Sequence, residues 1–269
     1  MGRLSDMAFV AIDIETTGLT PVVDRIVEIG AVRFRGDDLI DTFEALVYPG
    51  MPISPGASAV NGITDDMVQG KPHIDTVLPR FIDFLAQDIP VAHHAPFDVG
   101  FLAYEISRLS LSVFDQPVLD SCVIPKKLFP NAHSYSLENL AGFFGIKSNT
   151  FHRALADAIV CMKILNRCIA EMGGPEPVSM VEILELNGPS VSLCTDRVTL
   201  DEPYGRLQMA LENGDAIDIS YRDARGDLSV RTITPLSLGA FRGAVMMEAF
   251  CHLRKGKRNF RLDRIVEIR

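Results

Sequence analysis

Asp13 and Glu15 lie two residues apart at the end of the apolar run Ala8–Glu15. Side chains two apart on a strand share a face, so both carboxylates would leave such a run together. Like charges held side by side repel, and burying them costs on the order of several kcal/mol unless a cation or donors neutralise them. A solvated strand end would tolerate the pair; a bound cation would explain it. Thr16-Thr17-Gly18 follows, a turn offering hydroxyls and backbone N–H groups. Asp98 opens a helical stretch directly after His93-His94-Ala95-Pro96-Phe97, and Asp157 follows His152 by five residues in an otherwise apolar stretch. The helix dipole favours any Asp near an N-terminus, but Asp157 stands too far along to be a simple cap. Four carboxylates from separate segments make a hard oxygen set suited to Mg²⁺ or Mn²⁺. Two such ions about 3.5–4 Å apart can clamp the attacking and leaving oxygens of a phosphodiester displacement. Such a set lacks a proton acceptor that titrates near neutrality, and a histidine supplies one.

The elements that must position these residues follow from periodicity. Residues 8–15, 25–35 and 39–48 read as three strands with short links, an antiparallel meander. Ile74–Ala86 carries Val77, Leu78, Phe81, Ile82 and Leu85 at helical spacing. A short strand is predicted at Val91–His94, then helices at Phe97–Leu109, from a Ser136 cap to near Gly145, and over Arg153–Met172. Gly173-Gly174-Pro175-Glu176-Pro177 breaks the pattern and marks a domain boundary. Residues 178–203 read as one short helix and a connection. After Tyr204 the chain turns β-rich, with alternation over Ile217–Arg222, a turn at Asp223–Asp227, and further strands at Val245–Leu253 and Asn259–Ile268.

Composition narrows the classes. The 269 residues are 47% hydrophobic and 23% charged, ordinary for a globular protein. The longest apolar runs fall far short of a membrane span, and the N-terminal run is cut by Asp13 and Glu15, so a cytoplasmic protein without a signal peptide is expected. Five cysteines without CxxC spacing read as small buried apolar side chains. The net charge of −9 is unevenly spread: Tyr204–Arg269 holds 12 Lys and Arg against 8 Asp and Glu, the remainder 14 against 27. An acidic body with a basic tail domain implies two tasks. Cations bound among the acids would offset part of the body's charge.

Residues 7–172 resemble the DEDDh exonucleases, the DnaQ-like proofreading group of the RNase H-like superfamily. The resemblance rests on Asp13-Ile14-Glu15-Thr16-Thr17-Gly18, on His93 through Asp98 continuing to Leu102, and on His152 with Asp157. Gly62-Ile63-Thr64, Asp120-Ser121 and Tyr135-Ser136-Leu137 support it. It implies an α/β fold with a mixed five-stranded sheet and flanking helices. It also implies two Mg²⁺ or Mn²⁺ ions on Asp13, Glu15, Asp98 and Asp157, and His152 as general base. Thr16, Thr17, Leu19 and Phe97 would hold the terminal nucleotide, and DNA or RNA 3′ ends would be cut to 5′-mononucleotides. Two positions depart from the family: His94 stands where it usually has Asn, and Asn61 where many members have His.

Residues 204–269 resemble a WYL domain, a small SH3-like β-barrel, with residues 173–203 as linker. The matches are Ile219-Ser220-Tyr221, Arg231 with Pro235, Glu248 to Cys251, and Arg258 to Ile265. Val245-Met246-Met247 replaces the namesake Trp-Tyr-Leu. The resemblance implies a nucleic-acid or nucleotide-like ligand, with Arg231, Arg254, Arg258 and Arg261 as the phosphate contacts. Two plainer arrangements compete: Arg254-Lys255-Gly256-Lys257-Arg258 as a solvated hairpin tip, and Arg261 paired with a carboxylate. The alternative function is a ligand-sensing regulatory module in which nuclease activity is secondary.

Overall fold

Three apolar runs joined by tight links give the expected meander: β1 (Phe9–Thr16), β2 (Ile26–Arg35) and β3 (Asp38–Leu46). These pair antiparallel, with Asp13 opposite Gly30 and Glu15 opposite Glu28. The computed structural model describes residues 3–148, 151–194, 200, 202–241 and 244–269. Helices α1 (Pro55–Asn61), α2 (Asp65–Val68) and α3 (Ile74–Leu85) come next. Then β4 (Ile89–Ala92), α4 (Pro96–Arg108) and β5 (Pro117–Asp120) follow, β4 lying parallel to both β1 and β5. The remainder of this unit is α5 (Val123–Leu128), α6 (Leu137–Phe143), α7 (Ala154–Glu171), α8 (Met180–Asn187) and β6 (Val191–Ser192). The strand order is β3-β2-β1-β4-β5-β6. Helices cover both faces. Val10, Ile12 and Ile14 pack on the side of α3 and α4, whereas Phe9 and Ala11 face the cluster that holds α7.

The five-stranded expectation therefore gains a sixth strand. β6 is two residues long, too short for an alternating pattern to register, and pairs antiparallel with β5. Residues 173–203, expected as a linker, include α8 and β6 of this first compact unit, which extends to Cys194. Asn187 of α8 accepts the Asp120 N–H at 2.7 Å. Ser136 holds its expected N-cap position, but its side chain does not cap; its Oγ accepts from Asn139 instead. Cys194 is exposed, unlike the other four cysteines.

One contact fixes α7. The helix crosses β2 at Gly30 so closely that a Cβ there would stand 2.1 Å from the Leu155 nitrogen. Beside it, the wholly buried Glu28 receives Arg153 through Nε and an Nη at 2.6–3.1 Å, and the Ala154 N–H at 3.0 Å. A buried carboxylate is tolerated only when its oxygens are satisfied in this way.

The second unit forms separately around Leu207, Ile219, Ile233, Met247 and Phe260. It opens with α9 (Gly205–Asn213), which the sequence reading placed in β-rich chain; its core face holds only Leu207 and Ala210, a weak periodic signal. An antiparallel sheet follows: β7 (Ile217–Arg222), β8 (Leu228–Phe241), β9 (Ala244–Cys251), β10 (Gly256–Arg261) and β11 (Ile265–Ile268), in the order β10-β9-β8-β7-β11. The single strand expected over Asn259–Ile268 is split by a 3₁₀ turn at Leu262–Arg264, so that β11 returns to β7. β8 was not expected from the sequence, because Pro235 and Gly239 interrupt its apolar residues. Among the described residues no helix is long and apolar enough to cross a membrane.

Gly30→Ala should lower stability by about 3 kcal/mol, because the neighbouring atoms are backbone and cannot swing aside. Glu28→Gln should also lower stability, but by less than a fully buried pair would, because the partly exposed Arg153 keeps Glu44 at 3.7 Å. Gly142→Ala, where a Cβ meets nothing within 4 Å, is the control. Urea unfolding of the three variants reads the difference; equal midpoints for Gly30→Ala and the control would disprove the docking argument.

Candidate metal centre

β1 delivers Asp13 and Glu15 from one face while Ile12 and Ile14 point into the core. Because Gly30 opposes Asp13, the first turn of α7 reaches the same spot and brings Asp157. One oxygen from each of Asp13, Glu15 and Asp157 lies within 4.8 Å of the others. Asp98, buried at the start of α4, lines the same 420 Å³ cavity, and its Oδ1 accepts the Ile14 N–H at 3.0 Å. Three of the four expected acids thus form the tight group, and the fourth is tied to the strand between two of them.

Two loops hold non-glycine residues in the left-handed region beside the centre, His94 (φ 65°) and His152 (φ 62°). Such conformations persist only where surroundings enforce them. The His152 N–H donates to Asp157 Oδ2 at 2.8 Å. Asp120 accepts N–H groups from His94, Ala95 and Cys122 at 2.8–3.1 Å. Burial pulls the His93 ring down to about 4, so it is neutral near pH 7. It then donates from Nε2 to the Tyr135 carbonyl and accepts the Ser121 hydroxyl at Nδ1.

Crowding sets the electrostatics. Burial, reinforced by Asp98, Asp157 and the neighbouring glutamates, holds Asp13 well above the usual carboxylate range. Burial raises Glu15 to about 7, with Asp157 and Glu28 adding to it. Burial likewise raises Asp98 to about 8 and Asp157 to about 6, each opposed by the N–H it accepts. Asp157 Oδ1 is buried with no donor among the described residues. A divalent cation would satisfy that oxygen and relieve the repulsion, so the donor set fits hard metal ions.

The remaining expected residues are placed differently. Phe97 lines the cavity. Thr16, Thr17 and Leu19 are not among its lining. The Thr16 hydroxyl donates to the Gly18 carbonyl, Thr17 Oγ1 accepts the Arg25 N–H, and Leu19 is 73% exposed. Asn61 is buried, bonded to the Thr16 carbonyl, the Ile63 N–H and Glu15. His152 is exposed, with Nε2 3.3 Å from Glu138 Oε1. The cavity also takes in Ser136 and Leu137, from the Tyr135-Ser136-Leu137 match, and the unexpected Glu138 and Phe151, of which Glu138 directly follows that match. In the second unit Arg231 donates to Ser229, Arg254 and Arg258 are exposed, and Arg261 pairs with Asp263 at 2.6 Å. Arg258 and Arg261 are three apart on β10 and leave opposite faces, so the four arginines form no single patch.

The sequence pattern of the Exonuclease family, RNase_T, matches residues 10–165, more than half of the chain. The chain belongs to this exonuclease family. The WYL domain pattern matches residues 203–269. The DNA polymerase III subunit epsilon of Treponema pallidum (strain Nichols) is 41% identical over 166 residues, 61% of this chain and 77% of that protein. The PolC-type DNA polymerase III of Caldanaerobacter subterraneus subsp. tengcongensis is 37% identical over 179 residues, 66% of this chain but only 12% of the relative's length. Exonuclease X in complex with 5′-overhanging duplex DNA superimposes with a TM-score of 0.53 at 28% identity, covering 67% of this chain and 99% of that one. The exonuclease unit is therefore an RNase H-like α/β fold, and the family uses divalent ions.

Raised carboxyls favour the folded state when protonated. Their contribution is fully present below about pH 4, the unfolded value, and is lost as pH rises toward 8. Asp13→Asn should therefore raise the metal-free melting temperature at pH 8 by about 2–4 °C per kcal/mol of repulsion removed, and change it little at pH 4. Added Mn²⁺ should raise the wild-type value more at pH 8 than at pH 5. Scanning calorimetry of both proteins at the three pH values checks this.

Proposed function

We propose that this chain is a metal-dependent 3′→5′ exonuclease that hydrolyses phosphodiester bonds at nucleic-acid 3′ ends and releases 5′-mononucleotides. The observation that carries the reading is the convergence of Asp13, Glu15, Asp98 and Asp157 in one cavity, with Asp157 Oδ1 left without a donor. Two Mg²⁺ or Mn²⁺ ions held by these acids would supply Lewis-acid charge neutralisation at the scissile phosphate. His152 accepts the proton of the attacking water. Its exposed ring must turn from Glu138 to do so, and its backbone is already fixed on Asp157. Phe97 packs against the terminal nucleotide, with the Thr16–Leu19 turn beside it. The DNA held by exonuclease X makes DNA ends the first substrate to test, with RNA as comparison. We place the protein in the cytoplasm.

The C-terminal sheet supports an SH3-like barrel, because its strand order and the 3₁₀ turn before β11 suit a sheet that curls on itself. We assign this WYL domain an accessory role in binding nucleic acid or a nucleotide-like ligand, with Arg254 and Arg258 as the contacts best exposed for it.

His152→Ala should lower turnover about 10²–10⁴-fold while Mn²⁺ binding, followed calorimetrically, stays near wild type. Wild-type turnover near neutral pH in this variant would remove the general-base role. A 3′-blocked strand should resist digestion and a 5′-blocked one should not, as read on labelled oligonucleotides. EDTA should abolish digestion of the 5′-blocked strand.

A further inference from the structure

Several cations of the first unit have partners. Arg3, Arg33, Arg108 and Arg153 pair with carboxylates, Lys127 donates to a carbonyl, and Lys126 lies over the Tyr135 ring. Lys147, Lys163 and Arg167 form no hydrogen bond or ion pair with the described residues, yet all three converge on one cavity of about 380 Å³. The cavity lies away from the metal centre. Its walls are the chain after α6, the outer face of α7 and the β2–β3 turn. Lys163 and Arg167 are one turn apart on α7, an arrangement of like charges that weakens a helix. Glu171 stands one turn beyond Arg167 but makes no ion pair with it. Asp37 is the only acid in the lining. Asn166 holds it by donating to Asp37 Oδ1 at 3.0 Å and to the Gly36 carbonyl at 2.7 Å, which also pins the turn that closes the cavity.

Three exposed cations without a partner among the described residues gather around one open surface pocket in a region of net charge −13, and together they offer an anion a focused positive site. We propose that this cavity binds phosphate groups, those of a nucleic-acid strand whose end occupies the metal centre. Lys163 and Arg167 follow Asp157 by six and ten residues, about 9 and 15 Å along the helix axis at 1.5 Å per residue. That distance corresponds to a strand several nucleotides long, not to the terminal nucleotide. Only the identity of the strand rests on the nuclease reading; the anion site itself does not.

The test is binding rather than turnover, so it succeeds or fails independently of catalysis. A 5′-fluorescein 20-mer is titrated with full-length protein in EDTA and followed by anisotropy at several salt concentrations. Lys163→Glu with Arg167→Glu should weaken binding about tenfold, and lower the slope of log K against log salt by about 1–2. Lys71→Glu with Arg80→Glu imposes the same change of net charge at exposed residues outside this cavity that have no partner among the described residues. This control should change affinity less than threefold, and melting curves confirm that both variants fold. Adenosine 5′-monophosphate and inorganic phosphate, titrated calorimetrically, separate free phosphate from strand phosphate. Loss of their binding in the first variant, with strand affinity unchanged, would keep the phosphate site and assign it a free ligand. Unchanged binding of all three ligands, or an equal loss in the control, would overturn the proposal.

Discussion

The first unit depends on the backbone-to-backbone contact between α7 and β2 at Gly30. The site acids come from positions as distant as 13 and 157, and only this approach lets the helix reach the strand that carries the first two. Any side chain at position 30 would hold α7 off by the width of a methyl group. The buried Glu28 then serves as the anchor, taking Arg153 and the Ala154 N–H at the start of the helix. The metal centre is a consequence of close packing two residues along the same strand.

That packing brings four acidic groups into one pocket, an arrangement that opposes folding. The chain offsets part of the cost with directed N–H groups: Ile14 to Asp98, and His152 to Asp157. A further layer of bonds, through Asp120 and the neutral His93, fixes the loops that carry these donors. The residual repulsion and the all-oxygen donor set suit the pocket to small hard cations. A monovalent ion would neutralise too little, and a softer metal would lack its preferred ligands.

Much of this was legible in the sequence. The pair Asp13 and Glu15 declared a shared face through strand periodicity, and Asp157 stood out as an acid inside an apolar helical pattern. The sequence could not show which acids would touch, because that depends on Gly30, an unremarkable residue in an alternating strand. Nor could it show that Thr16 and Thr17 would spend their hydroxyl bonds within their own turn. His94, one departure from the family pattern, has a physical rationale: its φ of 65° lies where Asn and His are both enriched among non-glycine residues. The short β6, the α9 helix and the bent β8 escaped because too few residues, or too irregular an alternation, carried the signal. Folding places them through tertiary contacts, which outweigh local propensity.

The docking of α7 also governs how the centre opens. The Ala154 and His152 amide protons are bound to Glu28 and Asp157, so each belongs at once to the start of the helix and to the site. Fraying of that first turn breaks both bonds, frees Arg153 and withdraws Asp157 in one event. The centre therefore disassembles as a single cooperative unit, not ligand by ligand. Occupancy by a cation and closure of the helix end are two readings of the same local equilibrium, and deuterium exchange at these two amides would follow both.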